Sequence, residues 1–203
     1  MYRIILASGS PRRREILERV GIPFTVCVSG AEETRIEGET PGRLVERLSR
    51  QKALEAADRA QAPAVVIGAD TVVAKGNRIL GKPENQERAA QMLREIAGGV
   101  HEVYTGVCAV ILQEGGEKSL ISFAEKSTVT VCPMTESQIE EYAAGEEPLD
   151  KAGAYAIQGK FALYIDRIEG NYDNIVGLPV SRLYQEVLKA GIDLKTGRKL
   201  FEI

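Results

Sequence analysis

The sequence is poor in cysteine, histidine, aromatic residues, excess positive charge and long apolar runs. Its three cysteines, Cys27, Cys108 and Cys132, are odd in number, far apart and without a C-x-x-C pair, which argues against a disulfide framework or a zinc site. They read as core residues of a protein in a reducing compartment. The lone His101 has no partner at a zinc-ligand spacing, so it reads as a capping or packing residue rather than a catalytic one. Aromatic residues make up 5% of the chain, too few for the stacking series of a single-strand nucleic-acid binder. A formal net charge of -3 gives no positive excess to hold a long phosphate backbone by counterion release. Any anion bound is expected to be small and locally held. The run Ile4-Ile5-Leu6-Ala7 is too short for a signal-peptide core, and no segment approaches the ~20 apolar residues that span a bilayer. The expectation is a cytoplasmic protein with neither a membrane nor a nucleic acid as partner.

Across 203 residues, 44% hydrophobic and 27% charged positions suffice for a substantial core. One domain over residues 1–203, or two lobes on one sheet, is expected. Arg3 to Ala7 reads as a strand, Ser8-Gly9-Ser10-Pro11 as a tight loop, and Ile16, Leu17 and Val20 as a helix stopped by Gly21. Phe24 to Val28 predicts a strand, and Thr40-Pro41 starts a helix to about Ala60. Ala64 to Val73 suits a central strand buried on both faces. Asn85 caps a helix that stops at Gly98-Gly99, and Thr135 to Gln138 has the form of a capping box. Val100 to Leu112 and Lys118 to Val131 predict a hairpin turning at Gly115-Gly116. Ala154 to Glu169 reads as a strand with glycine breaks, Asn171 to Pro179 as a loop, and Pro179 opens a last helix to Gly191. Residues 193–203 read as a loose tail. The fold class is α/β with a mixed sheet.

Several groups are able to carry chemistry. Ser8 to Arg14 places small residues and three successive arginines at a strand-to-helix turn, where backbone N–H groups and guanidinium forks suit phosphate oxygens. The plain alternative is an N-cap followed by solvated arginines. Asp70 is the one charge inside an apolar strand, so it needs a cation or donors: a metal, a lysine, or a structural hydrogen-bond network. Glu32 and Glu33 form a loop pair able to share Mg²⁺ with Asp70, or simply to face solvent. Lys52 projects from the inward stripe of its helix, to reach a phosphate or to snorkel past the core edge. Lys82 sits on a loop stiffened by Pro83. Gln158 ends an apolar stretch with an amide that both donates and accepts, as a base edge requires, although an ordinary polar strand end has the same look.

The order of these signals resembles the Maf family of nucleotide pyrophosphatases along nearly the whole chain to about Leu188. The residues that carry it are Ala7 to Arg13, Glu32-Glu33, Arg47-Leu48 through Lys52-Ala53, Gly68 to Val73, Gly81-Lys82-Pro83, His101 through Thr105, Asp150 to Tyr155, Ile157-Gln158-Gly159, and Val176 to Pro179. The resemblance implies an elongated mixed β-sheet flanked by helices, related to the inosine triphosphatase-like superfamily, with a central cleft between two lobes and often a homodimer. It implies a nucleoside triphosphate substrate, cleavage between the α and β phosphates, and a divalent metal, Mg²⁺ or Mn²⁺. Carried onto matching positions, Asp70 is the proton acceptor and Glu33 a metal-site carboxylate alongside it. Ser8, Arg13, Lys52 and Lys82 fall on the phosphate side, and Arg12, Thr71 and Gln158 are associated with base selection. Glutamine at 158 resembles the subgroup acting on thymidine and uridine triphosphates rather than the methylated-guanosine one. Asp70 is compatible with two roles, base and metal ligand. A competing reading is a non-catalytic nucleotide-binding regulator, because the family is also linked to septum formation.

Overall fold

The computed structural model describes residues 1–31, 34 and 36–200, and the chain divides into two compact units. The first comprises Met1–Asp70, Thr105–Glu125 and the chain from Gly177; the second comprises Thr71–Tyr104 and Lys126–Val176. Strands β1 (Arg3–Leu6), β2 (Thr25–Val26), β3 (Ala64–Lys75), β5 (Val100–Leu112), β6 (Lys118–Val131) and β7 (Ile165–Glu169) follow the order β2-β1-β3-β5-β6-β7, with β4 (Arg78–Leu80) paired to β3. β1 runs parallel to β2 and β3, whereas β4 and β7 pair antiparallel with β3 and β6. The expected mixed α/β sheet is present, with helices packed on it.

In the first unit, helices α1 (Pro11–Arg19), α2 (Pro41–Asp58) and α6 (Val180–Lys189) bury apolar stripes. Ala53, Ala56 and Ala57 of α2 pack with Ile5, Ala7, Val66, Cys108 and Val110. Their small side chains let the helix lie close to the sheet, and two glycines deepen the approach. A Cβ at Gly68 of β3 would lie 2.7 Å from the Ala53 nitrogen and nearer still to the Ser49 carbonyl oxygen. One at Gly106 of β5 would lie 2.6 Å from the Glu46 nitrogen and nearer still to the Val45 carbonyl.

The loose tail expected from residue 193 is corrected over 193–200. β8 (Ile192–Asp193) pairs with β9 (Arg198–Lys199). Leu194 is fully buried, Tyr2 donates its backbone N–H to Gly197 at 2.7 Å, and Asp193 accepts from Lys195 N and Thr196 Oγ1, each at 2.9 Å. Buried leucine and satisfied backbone hold what exposure and length alone would have left free. Residues 201–203 lie outside the described residues.

The second unit contains α3 (Gln86–Ile96), α4 (Glu136–Ala143) and α5 (Tyr172–Val176). Asn85 accepts from Arg88 N at 2.8 Å, and Thr135 and Gln138 form the expected capping box. Residues 154–164 are not the strand that the sequence predicts: short 3-10 turns fill Ala152–Ala154 and Lys160–Tyr164, and only Ile165–Glu169 is strand. Gly153 and Ala154 both adopt positive φ, 71° and 61°, which breaks the extended path. The apolar side chains then pack into one aromatic cluster, with Phe161 centred 5.0 Å from Tyr142, 4.8 Å from Tyr155 and 5.5 Å from Tyr164. The predicted loop from Asn171 instead holds α5, whose first turn Asn171 caps by accepting from Asn174 N at 3.1 Å.

Candidate functional site

In the first unit, β3 carries Asp70 two residues beyond Gly68, hence on the face that meets α2. Lys52 precedes Ala53, the residue that contacts Gly68. The close approach of helix and strand therefore brings the Lys52 Nζ to 2.7 Å from Asp70 Oδ1. Both side chains are nearly buried, at 12% and 10% exposure, so removing either one strands a charge in a poorly solvated place. This answers how the apolar strand tolerates its one carboxylate: a lysine partner is built in.

The loop after β1 is held by a second pair. Buried Ser8 accepts at Oγ from Arg13 Nη1 at 2.9 Å and from Ser10 N at 3.3 Å. Arg13 Nε donates to the Gly177 carbonyl at 2.8 Å. Its fork thereby ties the start of α1 to the loop that leads into α6. Arg12 is half-buried beside it, and no acidic residue occupies the first turn of α1, which leaves an electropositive helix start.

Arg47 is a residue to which the sequence reading gave no role. It donates to both oxygens of Glu39, at 2.8 and 2.7 Å, and to the Thr34 carbonyl at 2.9 Å. The hydrogen bond from Arg47 holds the Glu39 carboxyl below its usual range. Glu39, and further off Asp70, raise Arg47 in turn. Arg47 thus fixes the backbone at Thr34 and sits within the field of Asp70. Lys52 lies five positions further along α2, a spacing that no helical-face rule singles out. Glu33 itself lies outside the described residues.

In the second unit, Thr71 follows Asp70 along β3 and is half-buried, while Lys82 and Gln158 are exposed. Gly153 N donates to the Gly81 carbonyl at 3.0 Å, which ties the Lys82 loop to the turn leading toward Gln158. His101 is buried, with Nε2 2.7 Å from the Tyr155 hydroxyl. Burial, helped by the nearby Lys75 charge, pushes its pKa down to about 4. It is a packing residue, as expected, and neutral at ordinary pH. Cys108 is a buried core thiol, pushed up to about 11 by burial.

Among the described residues no three His, Cys, Asp or Glu side chains converge as a metal-binding group. A lone near-buried carboxylate does not make a protein cage. It does suit Mg²⁺, which keeps waters and usually takes one or two carboxylates together with substrate phosphates. No helix among the described residues is long and apolar enough to cross a membrane.

Residues 3–190 match the family described as Maf-like protein. A protein of Lachnoclostridium phytofermentans named dTTP/UTP pyrophosphatase is 54% identical over 96% of this chain and 98% of its own. One of the same name from Agathobacter rectalis is 48% identical over 96% and 100%, and one from Bacillus cereus is 46% identical over 96% and 98%. A solved nucleoside-triphosphatase / dITP/XTP pyrophosphatase from Mycobacterium abscessus aligns over 79% of this chain and 93% of that one, at 14% identity and a TM-score of 0.37.

Proposed function

The chain belongs to the Maf family, and we propose that it hydrolyses the pyrimidine nucleoside triphosphates dTTP and UTP to the monophosphate and pyrophosphate. The observation that carries this reading is 46–54% identity, over nearly the whole chain, to relatives named for that activity. The Lys52–Asp70 pair gives it a chemical centre.

In-line attack of water on the α phosphorus asks little covalent work of a protein; it asks for a placed water and for compensation of charge on the departing pyrophosphate. Asp70 is the group to orient that water and accept its proton. Lys52, bonded to Oδ1, fixes how the carboxylate is turned and adds positive charge beside it. Ser8, Arg13 and Lys82 are assigned to phosphate oxygens, and Arg12, Thr71 and Gln158 to the base. Asp70, with Glu33, would hold a divalent cation. Mg²⁺ or Mn²⁺ supplies charge neutralisation on the leaving pyrophosphate when bound. The three free thiols suit a reducing, cytoplasmic setting, and the homodimer that the resemblance implies is open to a size-exclusion measurement.

The test is a panel of nucleoside triphosphates incubated with purified protein and Mg²⁺ or Mn²⁺, with the products separated by chromatography. Monophosphate plus pyrophosphate, fastest from dTTP and UTP, is the expected result. Diphosphate plus phosphate would place the cut at the wrong bond. No product across the panel would leave the protein a nucleotide-binding regulator.

A further inference from the structure

The turn that carries Gln158 is held from both sides by two residues that have no part in the mechanism above. Gly159 N donates to the Ala156 carbonyl at 3.1 Å, closing a four-residue turn with Ile157 and Gln158 at its corner. Ile157 is buried and Gln158 exposed, so the corner anchors its apolar side and presents its amide. Before the corner, Ala156 N donates to the Tyr142 hydroxyl at 3.2 Å. After it, Lys160 N donates to Glu147 Oε2 at 3.2 Å. The bracket is closed by the Tyr142 hydroxyl, which donates to Glu147 Oε1 at 2.6 Å. Gly159 is required by this arrangement, because a Cβ there would lie 2.5 Å from Glu147 Oε1 and nearer still to Oε2. Burial, then the bond to Glu147, raises the Tyr142 phenol far above its ordinary range, so it stays a neutral donor. The Tyr142 ring also packs on fully buried Phe161, which fixes where the hydroxyl stands.

We infer that Tyr142 and Glu147 are positioning residues for base selection: together they set the direction of the Gln158 amide and, through it, the preference for a pyrimidine. The inference rests on the reading of Gln158 as the residue that faces the base. An amide separates bases only when its donor and acceptor meet the right atoms, and a displacement of ~1 Å is enough to lose that match. A merely structural bracket would weaken all substrates alike. A positioning bracket raises KM for the pyrimidine and leaves the purine where it was.

The experiment compares kcat and KM for UTP and GTP, with Mg²⁺, in the wild type, Tyr142→Phe, Glu147→Gln, Gln158→Ala and the double variant Tyr142→Phe/Gln158→Ala, with a melting curve for each. Tyr142→Phe keeps the ring on Phe161 and removes only the hydroxyl. The UTP-to-GTP ratio of kcat/KM is expected to fall roughly 30-fold in Gln158→Ala. In Tyr142→Phe it should fall roughly tenfold, chiefly through the KM for UTP. Glu147→Gln, which keeps an acceptor for Lys160 N, should retain most of the ratio, and the double variant should equal Gln158→Ala, since both changes act through one side chain. Should Tyr142→Phe fold poorly, Gly159→Ala displaces Glu147 from the other side and must reproduce the loss. A wild-type ratio in Gln158→Ala removes Gln158 from base reading and the inference with it. Loss in Gln158→Ala with a wild-type ratio in Tyr142→Phe, or equal losses for UTP and GTP in Tyr142→Phe, overturns the inference alone.

Discussion

Asp70 stands inside a twelve-residue strand, whereas Gln158 stands at the corner of a turn between two 3-10 segments. The first is placed by regular structure: a ladder fixes the strand, Gly68 and Gly106 admit the helix, and helix and strand together fix Lys52 against the carboxylate. The second is placed by side chains: a phenol, a carboxylate and an aromatic cluster hold a backbone that has no ladder of its own. A site on a ladder fails mainly when its own chemical group or the close packing under it is changed. A site on a bracketed turn is open to change in residues that never touch a ligand.

The largest effect tests the ladder-borne site. Asp70→Asn keeps an oxygen acceptor for Lys52 and nearly the same volume, so the fold should survive, with a melting temperature lowered by roughly 10 °C because the nearly buried Lys52 ammonium loses its counter-charge. Turnover should nevertheless fall by roughly 10³-fold or more, as expected when a proton acceptor in a low-dielectric site is lost. A variant that releases pyrophosphate at near the wild-type rate would take Asp70 out of the mechanism.

Next is the packing beneath that pair. Gly68→Ala drives a methyl group into the backbone of α2 at Ser49 and Ala53, and neither partner is the end of a flexible side chain. Denaturant unfolding should show a loss of roughly 2–3 kcal/mol. Activity should fall in step, because the helix that moves carries Lys52. Unchanged stability would mean that the close approach of helix and strand is not what places the pair.

The same contrast decides what the sequence made legible. The apolar run from Ala64 to Val73, the hairpin turning at Gly115-Gly116, the caps at Asn85 and Thr135 and the stop at Gly191 are local signals, and each element stands where they put it. Asp70 was conspicuous because a charge in such a strand demands a partner. That Lys52 is the partner needed the depth of the α2 approach, which shows in sequence only as two glycines on different strands. The segment from Ala154 to Glu169 reads as a strand because buried Tyr155, Ile157 and Phe161 all fall at odd positions, as on one face of a strand, with polar Gln158 and Lys160 at even ones. Their burial comes from the aromatic cluster and not from pairing. No local rule singles out Arg47 or Glu147, since their partners are the Glu39 carboxylate eight positions back, a loop carbonyl, a backbone amide and a phenol, none of which stands at a helical or strand spacing.

An effect of comparable size, seen only as pH falls, belongs to the second unit. His101 is pushed down to about 4 in the fold from an ordinary value near 6.5. The unfolded chain therefore binds a proton that the folded chain refuses. Stability from this group is complete above about pH 6.5 and is lost as pH falls toward 4, by roughly 3 kcal/mol. Lys75 opposes the imidazolium from nearby, and the Tyr155 hydroxyl bonds to Nε2. His101→Gln keeps a hydrogen-bonding partner for Tyr155 and removes the titration, so unfolding free energy measured between pH 4.5 and 6.5 should lose most of its slope. A slope as steep as the wild type's would place the sensitivity elsewhere.

The smallest effect compares two threonines that look alike in sequence, one at the start of a helix in each unit. Thr40 precedes α2 and makes no side-chain capping bond. Pro41 fills N1, where no N–H needs satisfying and φ is already helical, so the hydroxyl has less to supply. Thr135 precedes α4, accepts from Gln138 N at 3.3 Å and receives the Gln138 side chain at its own N–H at 2.8 Å. Thr135→Ala should therefore cost about 1 kcal/mol, and Thr40→Ala a few tenths at most. Equal costs in thermal unfolding would mean that the threonine hydroxyl acts at both helix starts alike and that the proline start of α2 supplies none of the difference.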